Sequence, residues 1–218
     1  MKYIFTRCLR KPAGSVIYTT LLNSRGTIVA DLIVVRQESQ RYLIITSTLH
    51  GQHDLAWLRL HKPDDVTIQD CSSLWTGVAL WGPKAPTILE TLVETNLDRE
   101  TFPAYTAREI SVAGIDVLAL NISFVGELGW ELHCATEGGL ALWDAVWQAG
   151  QPHGLVPVGS VALDSLSKEH GFLIYGHDIK ITRTQLQDLT STAESFILET
   201  LIQYCNIAKE SLSNTKTG

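Results

Sequence analysis

Short apolar runs separated by turn residues dominate the first fifty positions of the chain. The pattern predicts three strands, over Val16–Leu22, Thr27–Val35 and Tyr42–Thr48. The polar stretch from Asn23 to Gly26 is a turn signal between the first two. The period then changes, because apolar residues recur at helical spacing from about Gln52 until Pro63 ends the helix.

Further strands and helices follow in groups along the chain. Five more strands are predicted, over Val66–Asp70, Leu74–Trp81, Thr106–Val112, Ile115–Ile122 and Trp130–Cys134. Helices are predicted to begin at Pro83, to run from Glu137 to about Gln148, and to span Ser160–Glu169. Such grouping, without regular βαβ alternation, predicts an α+β fold with mostly antiparallel sheets. We expect two α+β subdomains that meet near residue 100.

The two ends of the chain differ from this central region, residues 15–179. Residues 1–14 are predicted to be an exposed basic lead-in. Residues 180–218 carry apolar positions at helical spacing between Thr192 and Ser211, followed by a polar tail. They predict one amphipathic helix, whose apolar stripe either covers another surface or makes a homo-oligomer contact.

Composition narrows the classes of function. The chain has 218 residues and a formal net charge of -6, so it has no basic footprint for a nucleic-acid backbone. The apolar runs are too short to cross a bilayer. The four cysteines form no CxxC pair and no secretory signal is present, so we expect an intracellular protein with reduced thiols. The predicted location is the cytoplasm, or the mitochondrial matrix in a eukaryote.

Asp31 is the first candidate for chemistry because it interrupts an otherwise apolar strand. Strict alternation places it on one face with Val29, Ile33 and Val35. A carboxylate in such surroundings is costly unless something pairs with it. Two interpretations remain open: a functional acid in a cleft, or an edge-strand charge that prevents aggregation.

Glu127 is the second candidate, since Gly126 and Gly129 bracket it at a chain reversal. A carboxylate on such a loop can accept two parallel N–H bonds from a planar group, as it does from arginine. The alternative is an exposed turn glutamate. Nearby Glu131 is predicted to be a solvent-facing strand residue.

Other familiar sites are missing from the sequence. The nearby histidines His50, His53 and His61 have no HExxH-type spacing, so we expect surface helix histidines and no metal site. There is no P-loop, no GxGxxG after a strand and no GxSxG. Without these motifs the sequence does not support a nucleotide-phosphate binding site or a serine hydrolase.

Several ordered motifs between about Ser15 and Ile179 resemble the aminomethyltransferase (glycine-cleavage T-protein) family. In chain order they are Tyr18-Thr-Thr-Leu-Leu-Asn23, Arg25-Gly26-Thr-Ile, Ala30-Asp31-Leu32, Trp81-Gly82-Pro83, Phe102-Pro103, Val112-Ala113-Gly114-Ile115, Gly126-Glu127-Leu128-Gly129-Trp130-Glu131-Leu132 and Ala162-Leu163-Asp164-Ser165-Leu166. The sequences of these motifs are most similar to the C-terminal folate-binding part of dimethylglycine and sarcosine dehydrogenases. Together the motifs are far more specific than any one alone.

The resemblance implies a tetrahydrofolate-binding module that accepts a methylene or aminomethyl unit from an amine such as glycine, dimethylglycine or sarcosine. It implies that Asp31 lies near the folate nitrogens as the catalytic carboxylate and that Glu127 holds the N–H edge of the pterin. It also assigns cofactor-binding positions to Tyr18, Asn23, Phe124 and Gly126. An FAD-dependent amine oxidase or a lipoyl carrier protein is the implied partner, because the chain has no FAD domain of its own.

The chain also departs from the family pattern. Only 14 residues precede the first strand, and nothing after Ile179 resembles the family's C-terminal β-barrel, which predicts a copy incomplete at both ends. Asn121 and Ser167 stand where dehydrogenase-type members often carry arginine, a planar cation that could clamp a carboxylate. Two alternatives therefore stay open: a non-catalytic folate-fold protein with a regulatory or interaction role, and an inactive truncated gene product.

Overall fold

The computed structural model describes residues 5, 9–173, 175, 176 and 178. The predicted C-terminal helix lies outside them. Seven strands are present in this part of the chain: β1 Val16–Leu22, β2 Ile28–Arg36, β3 Tyr42–Thr46, β4 Trp75–Trp81, β5 Ala107–Val112, β6 Ile115–Leu120 and β7 Gly129–Ala135. Its α-helices are α1 Gly51–His61, α2 Ala85–Glu90, α3 Gly139–Gly150 and α4 Ser160–Glu169.

The strands form two antiparallel sheets. The first has the order β1-β2-β3 and the second the order β4-β7-β6-β5. This arrangement confirms the predicted α+β class with antiparallel pairing. The subdomain division near residue 100 stays a prediction, although β4 lies before that point and pairs with β7 after it.

One predicted strand, Val66–Asp70, is wrong. In the described part of the chain this segment pairs with no strand. Ile68 packs against the core beneath the first sheet, while Thr67 and Gln69 are exposed. The alternation therefore reflects one-sided burial, and a strand also needs a neighbouring edge that accepts its backbone hydrogen bonds.

Strand β2 contains a bulge that the sequence did not reveal. Leu21 pairs with Ala30 but the next residue, Leu22, pairs with Ile28, so Val29 is the extra residue. The prediction that Val29 shares a face with Asp31 is therefore wrong, because the bulge breaks the alternation between them. The edge-strand interpretation of Asp31 is also wrong, since β2 is the central strand of its sheet.

Three of the hydrophobic clusters among the described residues hold these layers together. The largest lies between the second sheet and the helices α2 and α3, around fully buried Phe102, Leu132 and Leu142. Another lies between the first sheet and α1, which contributes Leu58. None of the helices in the described ranges is long and apolar enough to cross a membrane.

The third core joins the two sheets and defines their inner faces. The first sheet contributes Ile33, Val35, Leu43 and Ile45, and the second contributes Leu118 and Leu120. We use "inner face" for the side of each sheet that carries these residues. Any polar group on an inner face points into the space between the sheets, which matters for Asp31.

Candidate functional site

Asp31 lies on the inner face of the first sheet. No bulge separates it from Ile33 and Val35, so the three side chains share that face. Its carboxyl is partly buried, and Tyr18 on β1 donates a hydrogen bond of 3.0 Å to Oδ2. Burial raises the pKa of Asp31 above its ordinary 3.8, and the hydrogen bond from Tyr18 opposes that rise.

Three further titratable side chains lie close enough to Asp31 to interact with it electrostatically. The negative charge of Asp54 raises the pKa of Asp31 a little more, whereas His50 lowers it. Asp54 is only 1% exposed; its carboxylate accepts a hydrogen bond from Thr46 and lies 2.9 Å from Nδ1 of His53. The pKa of Tyr175 is raised by burial and by the charges of Asp54 and Asp31.

The side chains of this cluster do not converge as metal ligands would. Within the described residues no three His, Cys, Asp or Glu side chains come together in a group that could hold a metal ion. His53 is exposed, while His50 and His61 are half-buried. The cluster is better suited to holding or moving a proton, because burial destabilises the charged form of the Asp31 carboxyl and so raises its proton affinity.

Glu127 occupies an exposed loop between β6 and β7. The preceding Gly126 has φ +74°, and a Cβ there would lie 2.4 Å from Cγ of His170, so the loop requires glycine for both conformation and space. His170 follows α4, which places the Glu127 loop against the segment after that helix. The role of Glu127 on a pterin stays a prediction.

Glu131 is the acid that the sequence interpretation missed. In the register of the second sheet it lies opposite Leu120, and His133 lies opposite Leu118. Directly opposed residues share a face, so Glu131 and His133 lie on the inner face. The Glu131 side chain is 20% exposed and its Oε2 lies 3.2 Å from Nε2 of His133, so the prediction of a solvent-facing residue is wrong.

The alternation along β7 could have shown that Glu131 and His133 share a face opposite to Trp130, Leu132 and Cys134. It could not show that the first sheet packs over that face. The structure therefore brings two acids, Asp31 and Glu131, onto the two inner faces, while Glu127 is at the surface.

Two other predicted ligands, Asn23 and Phe124, lie in turns or loops. The Asn23 amide closes the β1–β2 turn, accepting hydrogen bonds from the backbone N–H groups of Arg25 and Thr27. Phe124 is half-buried in the loop that carries Glu127.

Asn121 donates to the carbonyl of Phe102 and Ser167 donates to the carbonyl of Asp164. The two positions that departed from the family pattern thus stabilise the local backbone here.

A large open cavity of about 1160 Å³ runs along the outer edges of β3 and β4. Neither Asp31 nor Glu127 lines it, so the cavity does not by itself support either assignment. His133 does line it. The cavity therefore reaches His133, whose ring is hydrogen-bonded to Glu131 on the inner face of the second sheet.

Comparisons with known proteins agree with this architecture. Residues 1–190 match the GCVT N-terminal domain family. The aminomethyltransferase of Phocaeicola vulgatus is 34% identical over 176 residues, covering 81% of this chain and 48% of the relative. That of Chloroherpeton thalassium is 35% identical over 167 residues, covering 76% of this chain and 46% of the relative.

The fold has a solved counterpart. The crystal structure of the glycine cleavage system aminomethyltransferase T from Bartonella henselae superposes with a TM-score of 0.69 at 24% identity, covering 84% of this chain and 48% of that protein. The chain thus spans about half the length of the relatives that it matches. Both the domain match and the identity to curated relatives show that the chain belongs to the aminomethyltransferase family.

Proposed function

We propose that this chain supplies the tetrahydrofolate-binding part of a one-carbon transferase. It accepts a methylene or aminomethyl unit from an amine such as glycine, dimethylglycine or sarcosine. Family membership supports folate-dependent one-carbon transfer in general. The particular amine is our extension from the sequence motifs.

The observation that carries the proposal is the inner-face carboxyl of Asp31. It sits between packed sheets, receives a hydrogen bond from Tyr18, and has a raised pKa caused by burial. Burying a carboxylate in an apolar strand costs free energy, so a position with a purely structural role is expected to carry an apolar residue. Such cost is typical of functional sites.

Asp31 has two roles in the proposed reaction: it stabilises a positive charge and it accepts a proton. Reduced folate supplies nucleophilic ring nitrogens, and the donor supplies an electrophilic aminomethyl or iminium carbon. The Asp31 carboxylate stabilises the positive charge near that carbon and accepts the proton that the attacking amine releases. Holding the folate nitrogen close to the carbon also limits escape of formaldehyde, which is an orientation effect.

Two acids compete for the pterin N–H edge in this proposal. Glu127 is favoured by its glycine-flanked loop, where a ligand can approach the backbone. Glu131 is favoured by its place on the inner face, the same inter-sheet space toward which Asp31 points. Either carboxylate can accept two parallel N–H bonds from the planar ring.

The partner and location complete the proposal. We infer an FAD-dependent amine oxidase or a lipoyl carrier protein as the source of the one-carbon unit, in the cytoplasm or the mitochondrial matrix. A homo-oligomer through the amphipathic segment after residue 192 remains part of the same hypothesis. Sedimentation of the full chain at several concentrations checks the oligomeric state.

The central test is titration calorimetry of the full chain with tetrahydrofolate. We expect saturable one-to-one binding. Asp31→Asn should keep the affinity within a few-fold, because it preserves the shape and the acceptor oxygen, and should lose transfer from a donor-loaded partner. A variant that retains full transfer would make Asp31 structural, and a wild-type chain that does not bind tetrahydrofolate would favour a non-catalytic interaction role.

A further inference from the structure

The segment after α4 crosses the bulged end of β2. Leu173 and Tyr175 pack against Leu22 and Ile28, which flank the β1–β2 turn. The ring of Tyr175 meets His50 edge-on at a centroid distance of 5.6 Å, and Gly176 leaves room for that imidazole. We call residues 171–173, 175 and 176 the strap.

The strap ends in a hydrogen bond to the bulge itself. The Tyr175 hydroxyl donates to the carbonyl of Val29. Val29 is the residue left out of the β1–β2 register, so its carbonyl is the group that a bulge removes from regular pairing. A buried carbonyl needs a donor, and the Tyr175 hydroxyl supplies it.

Bulges next to functional sites re-aim nearby side chains. Asp31 is two residues beyond Val29, and the register from Ala30 onward is regular. The bulge at Val29 therefore sets the register in which Asp31 pairs with Thr20 and its side chain points to the inner face. A shift of the bulge would move the carboxyl relative to Tyr18 and to anything held between the inner faces.

We propose that Tyr175 is a positioning residue for Asp31, acting through its hydrogen bond to the bulge carbonyl of Val29. The proposal deepens the folate-transfer function proposed above and rests on it for its catalytic consequence. Its structural part stands without any ligand, because it concerns the bulge and the carboxyl alone. Tyr175 need not touch folate or the reacting atoms.

The first test needs no activity. The full-length variant Tyr175→Phe removes only the hydroxyl, and Tyr42→Phe is the matched control on the edge strand β3, where Tyr42 is 38% exposed. We expect Tyr175→Phe to speed amide hydrogen exchange at Ala30 and Asp31 and to shift the carboxyl ¹³C titration of Asp31. Tyr42→Phe should change neither. If Tyr175→Phe matches the wild type in both measurements, the proposal is overturned.

A second variant separates the hydroxyl from the packing of the strap. Leu173→Ala removes an apolar contact but keeps the hydrogen bond, so it should lower the melting temperature and leave the Asp31 titration in place. If Leu173→Ala shifts that titration as much as Tyr175→Phe does, packing and not the hydroxyl controls Asp31, and the proposal fails.

If Tyr175 positions Asp31, its removal should change kcat but not KM. In Tyr175→Phe we expect kcat for one-carbon transfer to fall about tenfold or more, since misplacement by an ångström can cost about a hundredfold. KM for tetrahydrofolate should stay within about twofold. Equal kcat in the variant and the wild type would overturn the catalytic role. A wild type without transfer would refute the proposed function, while the exchange and titration results would still decide the positioning role.

Discussion

Tyr18 and Asp31 lie on adjacent strands and share a face, so that the Tyr18 hydroxyl reaches Asp31 Oδ2 at 3.0 Å across the β1–β2 pair. The register pairs Tyr18 with Ile33 and Thr20 with Asp31, which makes the contact a diagonal one. Tyr18 is therefore a direct hydrogen-bond partner of Asp31, the acid on which the proposed chemistry depends.

Tyr18→Phe should raise the pKa of Asp31 further. The hydrogen bond stabilises the charged carboxylate and so opposes the rise caused by burial. Without it the neutral acid is favoured over a wider pH range, and any transfer that needs the carboxylate should lose activity at the acid end of its profile first. A ¹³C titration of the Asp31 carboxyl checks the direction, with Tyr42→Phe as the control. A lower midpoint in Tyr18→Phe would contradict the role given to this bond.

Asp31→Asn should make the folded chain more stable than the wild type at neutral pH. A raised pKa in the folded state means that the stabilisation from the neutral acid is complete below the ordinary value of 3.8 and is lost as pH rises through the folded-state pKa. Asparagine carries no charge and keeps an acceptor for Tyr18, so it avoids this loss. Urea unfolding at pH 3.5 and pH 7.5 should show a difference only at the higher pH. A wild type that is more stable than the variant at pH 7.5 would show that the carboxylate is stabilising.

Glu127→Ala and Glu131→Gln should have unequal effects on tetrahydrofolate affinity. A charge-assisted hydrogen bond contributes about 1.5–3 kcal/mol, and about 1.4 kcal/mol corresponds to tenfold in affinity. Replacing the acid that holds the pterin edge should therefore weaken tetrahydrofolate affinity about tenfold to a hundredfold. Replacing the other acid should leave the affinity as in the wild type. Calorimetry on both variants decides between the loop and the inner face. Unchanged affinity in both would remove the two acids from the site.

Gly129→Ala should disrupt the pairing of β7 with β4. Gly129 has φ +149°, and a Cβ there would lie 2.0 Å from the carbonyl oxygen of Leu80, so backbone must move. Gly114→Ala is the matched control, because φ is +83° and the space is open, so only the strain of about 1–2 kcal/mol applies. Thermal unfolding should show a much larger loss for Gly129→Ala. Equal losses would mean that the strand pair adapts to the added carbon.

The sequence by itself indicated the family and most of the secondary structure, apart from the wrongly predicted strand Val66–Asp70 and the bulge in β2. Alternating and helical apolar periods, with glycine and proline at the breaks, located the seven strands and the four α-helices of the described residues to within a few positions. Local backbone preferences and one-sided burial act over a few residues, so a pattern of neighbours carries them. The same ordered motifs indicated the aminomethyltransferase family, and they singled out Asp31.

Tertiary structure alone decided which residues meet. Whether Val66–Asp70 is a strand depends on an edge elsewhere that could pair with it. The bulge at Val29, and its contact with Tyr175 146 residues later, follow from strand register and from the path of the chain after α4. Glu131 became a candidate because the first sheet covers its face of the second. Such facts depend on contacts between distant segments, which a local pattern of polar and apolar residues does not encode.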